Sequence, residues 1–221
     1  MKNKLLTVGL TSVLLLTGFS TASAEENTSP ETYTLTQQEE EQFLKEQREE
    51  LREIWDKYTV ETPTTVEIPT TEETPTIEPF AVERPPGSIG GKGDILIALD
   101  SITDHVGIVK DSYSIIEAHP DTGNVSYRDN NWTSRYDRIK GLKVSATATQ
   151  KSGAVKYAEL QLGDPYGFTT RNDTSTWYCS KLVWAAYKGQ GIDLEPHTAM
   201  LITPGDILSS PYVSVFYNTA D

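Results

Sequence analysis

From residue 90 onward the chain alternates short apolar runs with turn-forming residues. GDILIAL (93–99), HVGIVK (105–110), SIIEAH (114–119) and LKVSATA (142–148) are rich in β-branched residues and bounded by Gly, Asp and Ser. That pattern predicts four strands. The polar segment 110–114 between the second and third reads as a hairpin turn. Two stretches change to helical spacing, 152–162 and 179–188. In the second, Leu182, Val183 and Ala186 follow Cys179 at i+3, i+4 and i+7, and Gly189 and Gly191 end it. Strand runs flanked by two helices predict an α+β domain over 80–221, about 140 residues and long enough for its own core.

Upstream the pattern differs. Thr36 and Glu39 form a capping-box signature, after which Leu44, Leu51, Trp55 and Tyr58 share one face, so 36–58 reads as an amphipathic helix. Glu41/Lys45 and Glu53/Lys57 supply i,i+4 pairs on its polar side. Such a helix either docks on the main domain or serves a partner. Residues 59–79 (TVETPTTVEIPTTEETPTIEP) have no periodicity, and their prolines predict an extended, semi-rigid linker. At the start, Lys2 and Lys4 precede an apolar run that closes on Ala22-Ser23-Ala24. The run is shorter than the roughly 20 residues needed to cross a bilayer, and the closing triplet suits a signal peptidase. The expectation is a signal peptide over 1–24, an acidic extension over 25–58, and an exported chain with no integral membrane span once mature. Secretion, with possible retention in the cell wall by the linker, follows.

The formal net charge of −13 adds one distinction. Residues 25–90 hold 17 acids against 5 bases, whereas 91–221 hold 15 against 12. Acidity therefore belongs to the extension, and the globular part lacks the basic patch that a nucleic-acid partner requires.

Cys179 is the only cysteine in 221 residues. In an exported chain it is a buried small residue, an intermolecular crosslink, or a thiol kept for chemistry. A polar loop, 169–176, gives way to helix formers at Cys179, which places the thiol at a helix N-terminus. There the free N–H groups and the dipole favour a thiolate and can hold an oxyanion. A cysteine nucleophile needs an imidazole to take its proton, and the imidazole needs an acceptor on its other nitrogen. Of three histidines, His105 opens the strand HVGIV, where Gly107 leaves room for close approach. His119 lies in the turn-like HPDTG and His197 in a loop, both read as structural. Glu117 sits one hairpin beyond His105, and a carboxylate amid Ile115, Ile116 and Ala118 is costly without such a partner.

LGDPYG, YCSKLVWAAYKGQGIDL, and HVGIV with IIEA together resemble the papain-like NlpC/P60 superfamily of cysteine hydrolases. The order GDIL, His, Glu and then Cys resembles its circularly permuted YiiX/YaeF-type amidases, as does the later TPGDIL (203–208). The resemblance covers about 90–215. It implies an antiparallel sheet packed against the helix that carries the nucleophile. It also implies Cys179 as nucleophile, His105 as general base, Glu117 (12 positions on) as the residue orienting it, and Tyr166 beside the substrate. Tyr178 stands where peptidoglycan-cleaving members carry Asp. With Trp177 and Trp184 it offers an aromatic flank, so Tyr178 and Trp177 are candidate substrate contacts; Trp184 reads as core.

Three functions follow. The first is a secreted thiol amidase or peptidase acting on cell-wall peptide amides with a Cys-His-Glu triad. The second applies the same triad to a lipid or acyl substrate as an esterase or acyltransferase. The third is a non-catalytic cell-surface binding module. No metal or other cofactor is expected in any of them.

Overall fold

The computed structural model describes residues 34–60, 84–99, 104–195 and 197–219. The signal-peptide reading and nearly all of the linker reading lie outside the described residues.

The first described helix, α1 (Gln37–Trp55), starts at Thr36, whose hydroxyl accepts from the Glu39 N–H while Glu39 returns the bond to the Thr36 backbone. Five strands follow: β1 (Ile95–Leu99), β2 (His105–Val109), β3 (Ser114–His119), β4 (Asn124–Asp129) and β5 (Arg138–Val144). Then come α2 (Ala148–Glu159), α3 (Cys179–Lys188), α4 (Pro204–Ser209) and β6 (Val213–Asn218). The six strands form one antiparallel sheet in the order β4-β3-β2-β1-β5-β6. The fold is α+β, with helices laid against that sheet.

β1 is apolar at every position because it is buried on both faces. Ile95, Ile97 and Leu99 face the helices, where they meet α2 and α3 in the larger core. Leu96 and Ala98 face the other way and join Val109, Ile115, Ile139 and Trp132 in a second, smaller core. Two strands differ from expectation. β4 (NVSYRD) and β6 (VSVFYN) were not expected, because they are the two edges of the sheet and each has only one fully buried position. β5 begins four residues before the expected run and ends at Val144, and α2 takes over at Ala148 under a Thr147/Gln150 capping box.

α1 is part of the larger core. Leu51 is fully buried and Trp55 nearly so, and the backbone of Tyr58 accepts from the buried Lys140 ammonium at 2.6 Å. Glu50 accepts from Thr203 Oγ1 at 2.9 Å, just ahead of α4. At its other end, Phe43 meets the rings of Phe168 and Tyr178 edge-on at 5.4 and 6.2 Å. Leu51→Ala is therefore expected to cost about 2–5 kcal/mol in urea unfolding. A loss under about 0.5 kcal/mol, the usual size for a surface change, would show that the helix only decorates the domain.

Candidate active site

β2 and β3 run antiparallel with Ile108 opposite Ile116, so His105, Gly107, Ile115 and Glu117 share the face away from the helices. Glu117 is completely buried. Burial alone would push its carboxyl up. Hydrogen bonds from His105 and Arg135, with their positive charges, outweigh that and hold it well below the usual carboxylate range. His105 Nε2 lies 3.1 Å from Oε2, the Trp132 indole N–H donates to Oε1 at 2.8 Å, and Arg135 reaches both oxygens at 2.7 and 3.3 Å. Arg128 Nε stands 3.9 Å from Oε2.

Gly107 makes this packing possible. A Cβ there would come within 2.7 Å of Ile115, 3.1 Å of Glu117 and 3.2 Å of Trp132. The space expected for a close approach is filled by the tryptophan that binds the carboxylate, not by substrate.

His105 is 3% exposed, with its ring stacked near Trp132 and Tyr136 at 5.7 and 6.1 Å and His119 edge-on at 4.7 Å. Because Nε2 faces Glu117, Nδ1 is the nitrogen left for Cys179. Burial would lower the His105 pKa, but its hydrogen bonds with Cys179 and Glu117 and their charges outweigh burial and raise it to about 9. His119 goes the other way, lowered to about 4 by burial and by the charge on His105. Its Nδ1 accepts from the Asp121 N–H at 3.1 Å.

Cys179 is the first residue of α3, buried to 7% exposure, with Sγ 4.0 Å from the Asp104 carbonyl. α1, α2 and α4 are each capped by a threonine in a capping box. α3 alone among these helices has no side-chain cap, because its N-cap is Tyr178. Its first-turn N–H groups therefore have no side-chain acceptor, leaving donors beside the thiol for an oxyanion. From within α3, the buried Lys181 ammonium donates to Thr169 Oγ1 at 2.6 Å and the Thr176 carbonyl at 3.0 Å, pinning both ends of the preceding loop. Burial lowers its pKa to about 8.

Residues 93–203, half of the chain, match the family described as permuted papain-like amidase enzymes of the YaeF/YiiX type, C92. The chain belongs to this family. "Uncharacterized protein YycO" of Bacillus subtilis (strain 168) is 32% identical over 118 residues, 50% of this chain and 47% of that protein. The chain thus spans about half the length of that relative. A crystal structure titled metalloprotein yiiX from Escherichia coli O157:H7 matches with a TM-score of 0.49 and 16% identity. That match covers 58% of this chain and 97% of the other.

The structure brings Cys179, His105 and Glu117 together, and Tyr166 joins them. Tyr166 is half-buried, its hydroxyl pKa pushed up by burial and then by the negative charge of Cys179. Two expected substrate contacts are corrected. Trp177 is fully buried with its indole N–H on Asp164 Oδ2 at 3.0 Å. Tyr178 is also fully buried, its ring stacked on Phe168 at 4.8 Å and its hydroxyl accepting from the Ile202 N–H at 2.8 Å. Their polar atoms are already paired inside the protein, so neither side chain is available to a ligand. Trp132 and Arg135 were missed. They lie in a turn-rich segment without periodicity, and the only hint was that one histidine cannot satisfy a buried carboxylate.

Among the described residues, His105, Glu117 and His119 each offer a ligand atom within 4.8 Å of one another. This set does not suit a cation. Both Glu117 oxygens are already engaged, and Arg135 and Arg128 bring positive charge to the same volume.

The raised His105 pKa favours the imidazolium. Its stabilising pairing is complete below the ordinary 6.5 and is lost as pH rises through about 9. Unfolding free energy should therefore fall on that alkaline side. Glu117→Gln should move the alkaline limb down by about 1–3 pH units and cost about 3–5 kcal/mol by leaving Arg135 uncompensated. An unmoved limb would remove Glu117 from its role.

Proposed function

We propose that the chain is an exported thiol amidase that cleaves peptide amides of the cell wall. Membership of a permuted papain-like amidase family supports hydrolysis by a cysteine. One observation carries the assignment of roles: the buried His105 ring sits between Cys179 and an ionised Glu117.

Sγ of Cys179 attacks the carbonyl carbon, and the oxygen takes the charge against the uncapped N–H groups of α3. The imidazolium of His105 gives its Nδ1 proton to the nitrogen, the C–N bond breaks, and the amine leaves a thioester on Cys179. His105 then takes a proton from water as its oxygen attacks the thioester carbon. Collapse releases the carboxylic acid and regenerates the thiol. Glu117 keeps the ring oriented and compensates its charge throughout.

The acyl-lipid alternative drew on the permuted subgroup and on an aromatic flank beside the nucleophile. With Trp177 and Tyr178 turned inward, that flank no longer supports it. The export reading rests on the sequence of residues 1–24.

Purified wall peptides, and matched amide and ester acyl donors, should be turned over by the unaltered chain with products read by mass spectrometry. Cys179→Ala should reduce amide cleavage by about 10³-fold or more, and iodoacetamide should abolish it. Full amide activity in Cys179→Ala overturns the mechanism, and turnover of esters alone favours the acyl-lipid reading.

A further inference from the structure

The start of α1 is pinned close to the thiol. Thr34 bridges Thr169, and the Leu35 N–H donates to the Phe168 carbonyl at 3.5 Å. Phe168 in turn meets the Tyr166 ring edge-on at 5.6 Å. From there the domain-facing stripe of the helix runs Glu40, Phe43, Leu44, Gln47 and Leu51, whereas Glu39, Glu41 and Gln42 are exposed. An acid anywhere in a first turn suits the helix dipole. The dipole does not require that it face the domain, one turn before the Phe43 ring that packs on Phe168 at 5.4 Å.

Glu40 is an unmatched charge in that place. Its helix neighbours at i−4, i−3, i+3 and i+4 are Thr36, Gln37, Phe43 and Leu44, none of them a cation. Among the described residues, neither its carboxylate nor the Tyr166 hydroxyl has a hydrogen-bond or ion-pair partner. The cations of the site are engaged elsewhere. His105, Arg128 and Arg135 face Glu117, and the Lys181 ammonium donates to Thr169 and Thr176. Tyr166 links Glu40 to the reacting sulfur, because its hydroxyl feels the charge of Cys179 and then that of Glu40. On the other side of the thiol, Tyr136 stacks by His105 and feels Cys179 together with Glu117, Arg135 and Arg128. The two tyrosines mark the two ends of the site.

We propose that Glu40 and Tyr166 hold a protonated amine on the acyl side of the scissile amide, which makes α1 a determinant of substrate choice. This rests on the amidase reading and deepens it. His105 gives its proton to the leaving nitrogen, so the leaving portion stays by the imidazole and Tyr136, and the acyl portion extends toward Tyr166. An ammonium carries three N–H donors and no acceptor. The carboxylate and the phenol oxygen supply two acceptors, and both residues are only half-buried, so a ligand can reach them. The substrate class is then a short peptide or aminoacyl amide with a free amine close to the bond that is cut. Because α1 lies outside the residues 93–203 that match the family, this preference is one that the extension adds.

Two readouts test this, and they fail separately from the amidase reading. The first needs turnover. Peptide amides whose acyl side carries a free α-amine or a lysine ε-amine are compared with their acetylated forms. The unaltered chain should prefer at least one amine over its acetylated form by about 10-fold or more in kcat/KM, mostly through KM. Glu40→Gln should bring that ratio close to one and Glu40→Lys should invert it. Glu41→Gln removes the same charge from the exposed face of the same turn and should leave it unchanged. The second readout needs only the thiol. Cys179 is modified with 2-aminoethyl and 2-sulfonatoethyl methanethiosulfonate, one cationic and one anionic, and the ratio of their rates cancels any change in the sulfur's own reactivity. Glu40→Gln should lower the cation-to-anion ratio by about 3–10-fold, and Glu41→Gln by less than about 2-fold. A lowered ratio in a chain that cleaves no amide supports the Glu40 site while the amidase reading falls. An unchanged ratio in folded Glu40→Gln, an equal change in Glu41→Gln, or equal turnover of amine and acetylated peptides by the unaltered chain overturns the proposal.

Discussion

A carboxylate with no solvent exposure, Glu117, sits in the third strand of this sheet, and much of the surrounding structure exists to keep it ionised. An unpaired buried charge would cost several kcal/mol, so the fold surrounds it with the Arg135 guanidinium, the Trp132 indole and the His105 imidazole. That requirement fits a glycine at 107, since a side chain there would collide with Ile115 and crowd Glu117 and Trp132. It explains why the turn after β4 folds back under the sheet. It also sets the chemistry, because an ionised Glu117 on one ring nitrogen of His105 leaves the other for the thiol.

The helix that carries Cys179 meets this cluster from the opposite face. Its uncapped start is a departure from the rule the chain follows at its other described α-helices, where a threonine closes each N-terminus. The N–H groups that capping would have used are left beside the sulfur. Permutation of the chain order leaves this meeting of helix start and strand end unchanged, because it depends on where the elements pack and not on which comes first.

The helix before the linker is tied into the same body. Leu51 and Trp55 complete the larger core, and Phe43 braces the Phe168–Tyr178 stack next to Tyr166. The segment that composition sets apart as acidic extension is thus, on its apolar face, a wall of the domain that holds the site.

Much of this was legible in the residues. Apolar runs with two-residue alternation or full burial marked β1, β2 and β3, and the spacing of Leu182, Val183 and Ala186 marked the helix that starts at Cys179, because those patterns are local consequences of which side chains face a core. The motifs around Cys179, His105 and Glu117 singled out, for the same reason, three side chains that the fold brings together. What tertiary structure alone decided depends on contacts between distant segments. Edge strands β4 and β6 have too few buried positions to announce themselves. Trp132 and Arg135 serve Glu117 from 15 and 18 positions away, and nothing in their own neighbourhood encodes that. Tyr178 next to the nucleophile read as a substrate contact, yet adjacency in sequence at a helix N-cap sends its side chain away from the thiol, into the core against Phe168. The direction of a side chain at such a junction is set by packing, and packing is not a property of the local sequence.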